Sequence, residues 1–199
     1  RLLGHEKGIN NIQKILEYCV IKKIPHLTIY ALSKDNLKKR DKYEIKNIFK
    51  LLKNYLENNL NYLKKNKIKI NFIGEINKLP NNISRILIAS SNELSRSKKK
   101  ITLNVAINYS SKSEILNTVK KLIKKKNKLN IINVEKNLFT ATSGHPDIII
   151  RTGGYSRLSD FLLWQAAYSE LFFEKKLWPD FKVNDLKRII LKFDKIKRN

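Results

Sequence analysis

Methionine is absent from all 199 residues of this sequence, and cysteine occurs once. A translation product starts with Met and this chain begins at Arg1, so the expectation is that its natural N-terminus is missing. The lone Cys19 excludes a disulfide within the chain. Its place on the apolar side of a helical pattern predicts a buried thiol, not a catalytic one. No stretch reaches the roughly 20 apolar residues of a membrane span, and the basic start RLLGHEKG runs into no signal-peptide apolar block. The expectation is a soluble, cytoplasmic protein. Neither a long linker nor an internal repeat divides the sequence, which at 42% hydrophobic residues reads as one domain with a core of its own.

Acidic residues are scarce as well. Seventeen Asp and Glu stand against 42 Lys and Arg, a formal charge of +25. Phosphate backbones are bound chiefly by Lys and Arg, so charge alone invites a nucleic-acid reading. Lys, Asn and Ile are all in excess together, however, as A+T-rich codons would produce, and the lysines are scattered over many segments. No dedicated nucleic-acid binding is expected. The run KKLIKKKNK (120–128) reads as a solvated helix face that could rest on an anionic membrane surface.

Several catalytic templates are missing too. There is no G-x-x-x-x-G-K-[ST] segment, no G-x-G-x-x-G and no G-x-S-x-G elbow. The three histidines, His5, His26 and His145, lie far apart without metal-ligand spacing; His26 and His145 read as structural.

What is present is an alternation of periods. Residues 5–22, 42–65, 81–97 and 112–126 carry apolar residues at helical spacing, and a short helix is expected near 134–140. HLTIYAL (26–32), IKINFIG (68–74), ITLNVAINY (101–109) and DIIIRT (147–152) read as strands. A helix over 161–170, a last strand over 171–178 and a basic helix over 183–198 complete the pattern. Strands separated by helices predict an α/β fold: a largely parallel central sheet with helices on both faces. In such sheets ligands bind beyond the C-terminal strand ends. The rim there holds Ser33 to Asn36, Gly74 and Glu75, Asn108 to Ser111, and Arg151 to Ser159.

Arg151 leaves a triple-Ile strand, where a half-shielded guanidinium needs an anion, and an arginine fork matches phosphate oxygens two at a time. Ser159 and Asp160 are placed to cap a helix beginning at Phe161, whose free N–H groups would attract phosphate. Arg157 completes a cluster suited to a diphosphate. The alternative is that both arginines merely pair with Asp147, Asp160 or Glu170.

The blocks I-R-T-G-G, R-x-S-x-F-L-L-W-Q, A-Y-x-E-L and L-W-P-D-F follow one another within residues 147–181. This stretch resembles the C-terminal signature of the cis-prenyltransferases, the family of undecaprenyl diphosphate synthase. GHEKG (4–8), LTIYALSKDN (27–36) and LNVAINYSSKSEI (103–115) are similar to other blocks of that family, so the likeness covers nearly the whole chain. It implies a homodimeric α/β enzyme with an apolar tunnel in each subunit. Such an enzyme extends an allylic diphosphate such as farnesyl diphosphate by isopentenyl diphosphate units into a long-chain polyprenyl diphosphate. By position, Arg151, Arg157 and Ser159 would hold isopentenyl diphosphate, Arg1 and His5 the allylic diphosphate, and Lys39 sits where a substrate-binding Arg is expected. Ser33 and Asn36 would line the reacting centre, and Glu170 would help position Mg²⁺. The helices at 42–65 and 81–97, with Ala31 and Ile101, would wall the growing chain.

The departures define further expectations. The family's first strand and its M-D-G-N-G-R-W loop, with a metal-binding Asp, would precede Arg1, so the 199 residues alone should lack a strand and have little activity. A non-catalytic subunit of a heteromeric prenyltransferase is the competing reading. Tyr155 stands where an acid is usual, Ser110 and Ser111 replace two glycines, and Leu37 replaces an aromatic.

Overall fold

The computed structural model describes residues 2–95 and 99–196, and for residues 2, 3 and 5 the backbone only. Helix α1 (Leu2–Ile21) leads to strand β1 (His26–Ser33), the short helix α2 (Lys34–Lys39) and the long helix α3 (Lys42–Lys65). Strand β2 (Ile68–Ile73), α4 (Asn81–Ser95), β3 (Ile101–Tyr109), α5 (Ser111–Lys124) and α6 (Ile131–Glu135) follow. The chain ends with β4 (Ile148–Arg151), β5 (Glu170–Phe173) and α7 (Val183–Phe193).

Local chemistry explains several boundaries. Asp41 accepts from the Tyr43 N–H at 2.7 Å and so starts α3, as an N-cap carboxylate should. Ser33 does the same for α2, its Oγ accepting from the Asn36 N–H at 2.9 Å. β3 is buried at every one of its nine residues, as a central strand covered on both faces must be. The amphipathic helices pack around it, and Cys19 is 2% exposed in the same core.

Every strand pairing is parallel, but the strands form two sheets instead of one: β1-β3-β2 and β4-β5. His26 faces Thr102 and Ile68 faces Ile101, while Ile148 faces Glu170 and Arg151 faces Phe173. Among the described residues no strand joins β1 to β4, so each keeps one unpaired edge. That is the reason the expected single sheet is divided.

The helix expected over 161–170 does not form; only Gln165–Tyr168 makes one 3₁₀ turn. Ser159, Asp160 and Leu162 have φ of 51°, 63° and 47°, left-handed values that a helix cannot contain. Asp160 caps a different helix: its carboxylate accepts from Ser110 Oγ at 2.5 Å and the Lys112 N–H at 2.9 Å, at the start of α5. The short helix expected at 134–140 instead starts at Ile131, because Asn130 caps it. The last strand and last helix are shorter than expected, and α2 was not anticipated.

Candidate active site

A cavity of about 1580 Å³ lies at the C-terminal rim of the strands and runs down beneath it. The spacing of its lining residues gives its orientation. β3 contributes Leu103, Val105, Ile107 and Tyr109, and β2 contributes Ile70 and Phe72. Every second residue means a strand presents its face. β1 contributes the unbroken run Thr28 to Ser33, and β4 contributes Ile149, Ile150 and Arg151. Consecutive residues mean that the cavity meets those two strands at their open edges. α1 and α3 cover the apolar part, whereas α4 and Ile101, expected among the walls, are not in the lining.

The β4 lip of the cavity is cationic. Arg151 donates from Nη1 to Ser159 Oγ at 2.7 Å and to the Arg157 carbonyl. Among the described residues no carboxylate pairs with its guanidinium, so the alternative pairing with Asp147, Asp160 or Glu170 is not the arrangement found. The guanidinium carbons of Arg157 and Arg151 lie 4.4 and 5.4 Å from the centroid of the Tyr155 ring, a cation–π arrangement that places two like charges around one aromatic. Burial first, and then the nearby Arg157 charge, lower the pKa of Arg151. Both effects favour an arriving anion. Gly153 and Gly154 turn the chain at φ 93° and 79°, conformations glycine adopts without strain; their N–H groups bond the carbonyls of Lys176 and Glu174. That double turn brings Tyr155 and Arg157 back beside Arg151.

The opposite lip comes from the end of β1. Ser33, Asn36 and Lys39 all line the cavity. Sequence reasoning also placed Arg1 and His5 here; Arg1 and the His5 side chain lie outside the described residues. Glu170 is not in the lining: it begins β5 opposite Ile148, at the other end of the strand pair from Arg151. Among the described residues no group of three or more His, Cys, Asp and Glu converges on a common point.

Other lining residues were given no site role from sequence, although Asp35 and Tyr109 fell within the expected rim. Asp35 and Arg40 join the β1 lip, and Tyr30, Tyr109 and Phe161 form an aromatic cluster below it. Trp178 closes the α1 side, donating from Nε1 to the Gly8 carbonyl at 2.9 Å. The signal for Trp178 was legible in L-W-P-D-F; nothing in the sequence marks Arg40, which pairs with Glu44 at 2.7 Å.

A cationic lip over an apolar cavity in a parallel α/β frame suits a ligand with an anionic head and a hydrocarbon tail. Residues 1–199 match the model of the undecaprenyl diphosphate synthase family. Isoprenyl transferase from Rickettsia typhi is 36% identical over 196 residues, covering 98% of this chain and 86% of that protein. The Clostridium tetani protein of the same name is 38% identical over 197 residues, covering 96% and 76%. Crystal structures agree. A probable undecaprenyl diphosphate synthase from Campylobacter jejuni superposes with a TM-score of 0.88 at 33% identity, covering 97% of this chain and 91% of that one. Lavandulyl diphosphate synthase from Lavandula x intermedia, solved with dimethylallyl diphosphate, superposes at 0.92 and 26% identity, covering 100% and 88%. The chain therefore belongs to the undecaprenyl diphosphate synthase family, the cis-prenyltransferases, and is a prenyltransferase enzyme.

Proposed function

We propose that this enzyme condenses isopentenyl diphosphate onto an allylic diphosphate, with farnesyl diphosphate as primer, to build a long-chain polyprenyl diphosphate. The observation that carries this is the Arg151–Ser159–Arg157 cluster, unmatched by a carboxylate on the Arg151 guanidinium, opening onto an apolar cavity. In the proposal the two guanidiniums and the Ser159 hydroxyl hold the isopentenyl diphosphate head. Arg1, His5 and Lys39 hold the allylic diphosphate, and Ser33 and Asn36 border the reacting carbons. The allylic C–O bond breaks and its electron pair leaves with the diphosphate; the isopentenyl double bond attacks the resulting cation; a proton is lost as the new double bond forms. Cationic side chains favour this by stabilising the charge that develops on the departing group, without any covalent nucleophile. The tail then slides into the cavity, where each buried CH₂ contributes about 0.8 kcal/mol. The cavity exceeds the roughly 300–1,000 Å³ of an ordinary small-molecule pocket, although part of it is the slot between the β1 and β4 edges.

Mg²⁺ belongs to the proposal as the family's counter-ion for diphosphate, with Glu170 as the residue assigned to it by resemblance. The described residues do not themselves fit such a site, because Glu170 stands away from the cavity. The open edges of β1 and β4 support the idea that the strand expected ahead of Arg1 belongs between them, where it would join both sheets and bring further anion-binding groups to the rim. A homodimer is supported by the outer edge of β5, where Leu171, Phe173 and the neighbouring Tyr168 are 43%, 41% and 85% exposed. Among the described residues no helix is long and apolar enough to cross a membrane. Peripheral contact with an anionic bilayer from the cytoplasmic side is supported by exposed Leu116, Ile123, Ile131 and Ile132 on α5 and α6, set among the lysines of 120–128.

The test is elongation of farnesyl diphosphate by labelled isopentenyl diphosphate with Mg²⁺, using protein that carries the upstream segment. Long labelled products support the proposal. Folded protein that makes none overturns it.

A further inference from the structure

Ser33, Asp35 and Asn36 line the cavity, but the residue between them does not. Lys34 turns the other way: its Nζ lies 2.7 Å from Glu75 Oε2 and donates to Ser113 Oγ on α5 at 2.9 Å. Glu75 is a fixed point. Its side chain is only 8% exposed, and its other oxygen accepts from Lys78 at 2.5 Å and Asn117 at 3.2 Å. Its backbone is clamped to the end of β3 by the Glu75 N–H to the Asn108 carbonyl, 3.2 Å, and by the Asn108 side chain to the Glu75 carbonyl, 3.0 Å. Gly74, at φ 127°, permits that approach, since a Cβ there would collide with the Ile107 carbonyl.

Beyond its Ser33 cap and the Arg40–Glu44 pair just past its end, the helix that Lys34 begins has few other holds. α2 has six residues, none of them buried, its apolar anchor is the half-buried Leu37, and its internal Lys39–Asp35 pair is exposed. A helix of that length does not hold its shape without tertiary contacts.

We infer that the Lys34–Glu75 pair is a positioning device: it ties α2 to the ends of β2 and β3 and to α5, and thereby sets where Ser33 and Asn36 stand at the reacting lip. The inference rests on the prenyl-transfer reading and adds two residues to it, neither in contact with substrate. Because both diphosphate heads are bound by other groups, loosening α2 degrades the geometry of reaction rather than substrate affinity.

Lys34→Met, Lys34→Arg and Glu75→Gln in the full-length enzyme test this with two readouts, amide hydrogen exchange and steady-state kinetics. In Lys34→Met the amides of 34–39 exchange faster while those of β3 keep their rates. Its kcat falls about tenfold, the scale of a modest misplacement of reacting groups, with KM for both diphosphates nearly unchanged. Lys34→Arg restores both readouts, and Glu75→Gln, which keeps an acceptor but no charge, falls between. Unchanged exchange in α2, or kcat and KM moving together, overturns the inference while leaving prenyl transfer standing. A folded wild-type enzyme without turnover overturns both.

Discussion

Arg151 and Ser159, eight residues apart, are joined by a 2.7 Å hydrogen bond from guanidinium to hydroxyl. The bond spends one arginine donor on a neutral acceptor and leaves the positive charge uncompensated beside Arg157. Such a pair is expected to bind inorganic pyrophosphate by calorimetry. A charge-assisted hydrogen bond is worth about 1.5–3 kcal/mol, so Arg151→Ala should weaken binding by roughly ten- to a hundredfold. Arg151→Lys keeps the charge but loses the fork and should fall between. Equal affinity in all three proteins would remove Arg151 from the site.

Tyr155 occupies a position where the family resemblance leads one to expect an acid. Here its ring faces both guanidiniums, orienting them without cancelling their charge. Tyr155→Leu keeps bulk and loses the ring quadrupole, a change of about 0.5–1 kcal/mol at an exposed site. Pyrophosphate affinity should drop about two- to fivefold by the same calorimetry; an increase would show that the ring competes with the anion.

Glu75 gives a pH signature. Burial alone would raise its pKa, but hydrogen bonds from Lys34, Lys78 and Asn117 and the Lys34 charge outweigh burial and hold it at about 2. A carboxylate lowered in the folded state stabilises it above the unfolded pKa, and that contribution fades as pH falls through the folded value. The stability gap between wild type and Glu75→Gln should therefore be full above about pH 5 and shrink from there toward pH 2. Urea unfolding across that range measures it. A gap that grows on acidification contradicts the assignment.

Glu114, 2% exposed, is the hub of a buried network. It accepts from the Tyr109 hydroxyl at 2.5 Å, the Phe139 N–H at 2.6 Å and Gln165 at 3.2 Å. Burial and the Glu114 charge together drive the Tyr109 pKa up, so Tyr109 keeps its proton and donates. Glu114→Ala takes the acceptor from the Tyr109 hydroxyl and the Phe139 N–H, while Gln165 keeps Thr140 Oγ1 at 3.0 Å; the loss of about 3 kcal/mol expected for a broken buried network should lower Tm by roughly 6–12 °C. A melt within a degree of wild type would mean that water replaces the carboxylate.

Much of the frame was legible because periodicity reports burial. The spacing of apolar residues located α3 at 42–65 and β3 at 101–109 at their observed bounds. It failed over 161–170, where FLLWQAAYSE has helical composition but Asp160 is spent on α5 and left-handed residues break the turn. Composition cannot show a cap taken by a distant helix. The rim cluster was visible in I-R-T-G-G and R-x-S, since two glycines between two arginines force a fold-back. Lys34 and Glu75 were named only as rim residues, because their pairing depends on how β1 and β2 are brought together by β3. The division into β1-β3-β2 and β4-β5 is a matter of which strand edges meet, and alternation of helices and strands does not specify that.

Tyr55 stands near the far end of the stretch that α3 contributes to the cavity lining. Of the α3 residues in the lining, Glu44 stands at the mouth and Tyr55 and Leu56 are the last, about 16 Å further along a helix rising about 1.5 Å per residue. Burial, and then the charge of Glu17, raise the Tyr55 pKa, and its hydroxyl is buried without a hydrogen-bond partner. An apolar tail that reaches this hydroxyl gains nothing from further length. Alkyl diphosphates of increasing chain length should therefore bind wild type with affinity that climbs and then levels off. Tyr55→Ala opens space and should move the plateau to longer chains, at a stability cost of about 3 kcal/mol for the truncated aromatic. Tyr55→Phe removes only the orphaned hydroxyl and should leave the plateau where it was, with stability equal or slightly higher. Calorimetric titration of one homologous series against the three proteins decides the matter: if Tyr55→Ala levels off at the same chain length as wild type, the cavity ends elsewhere.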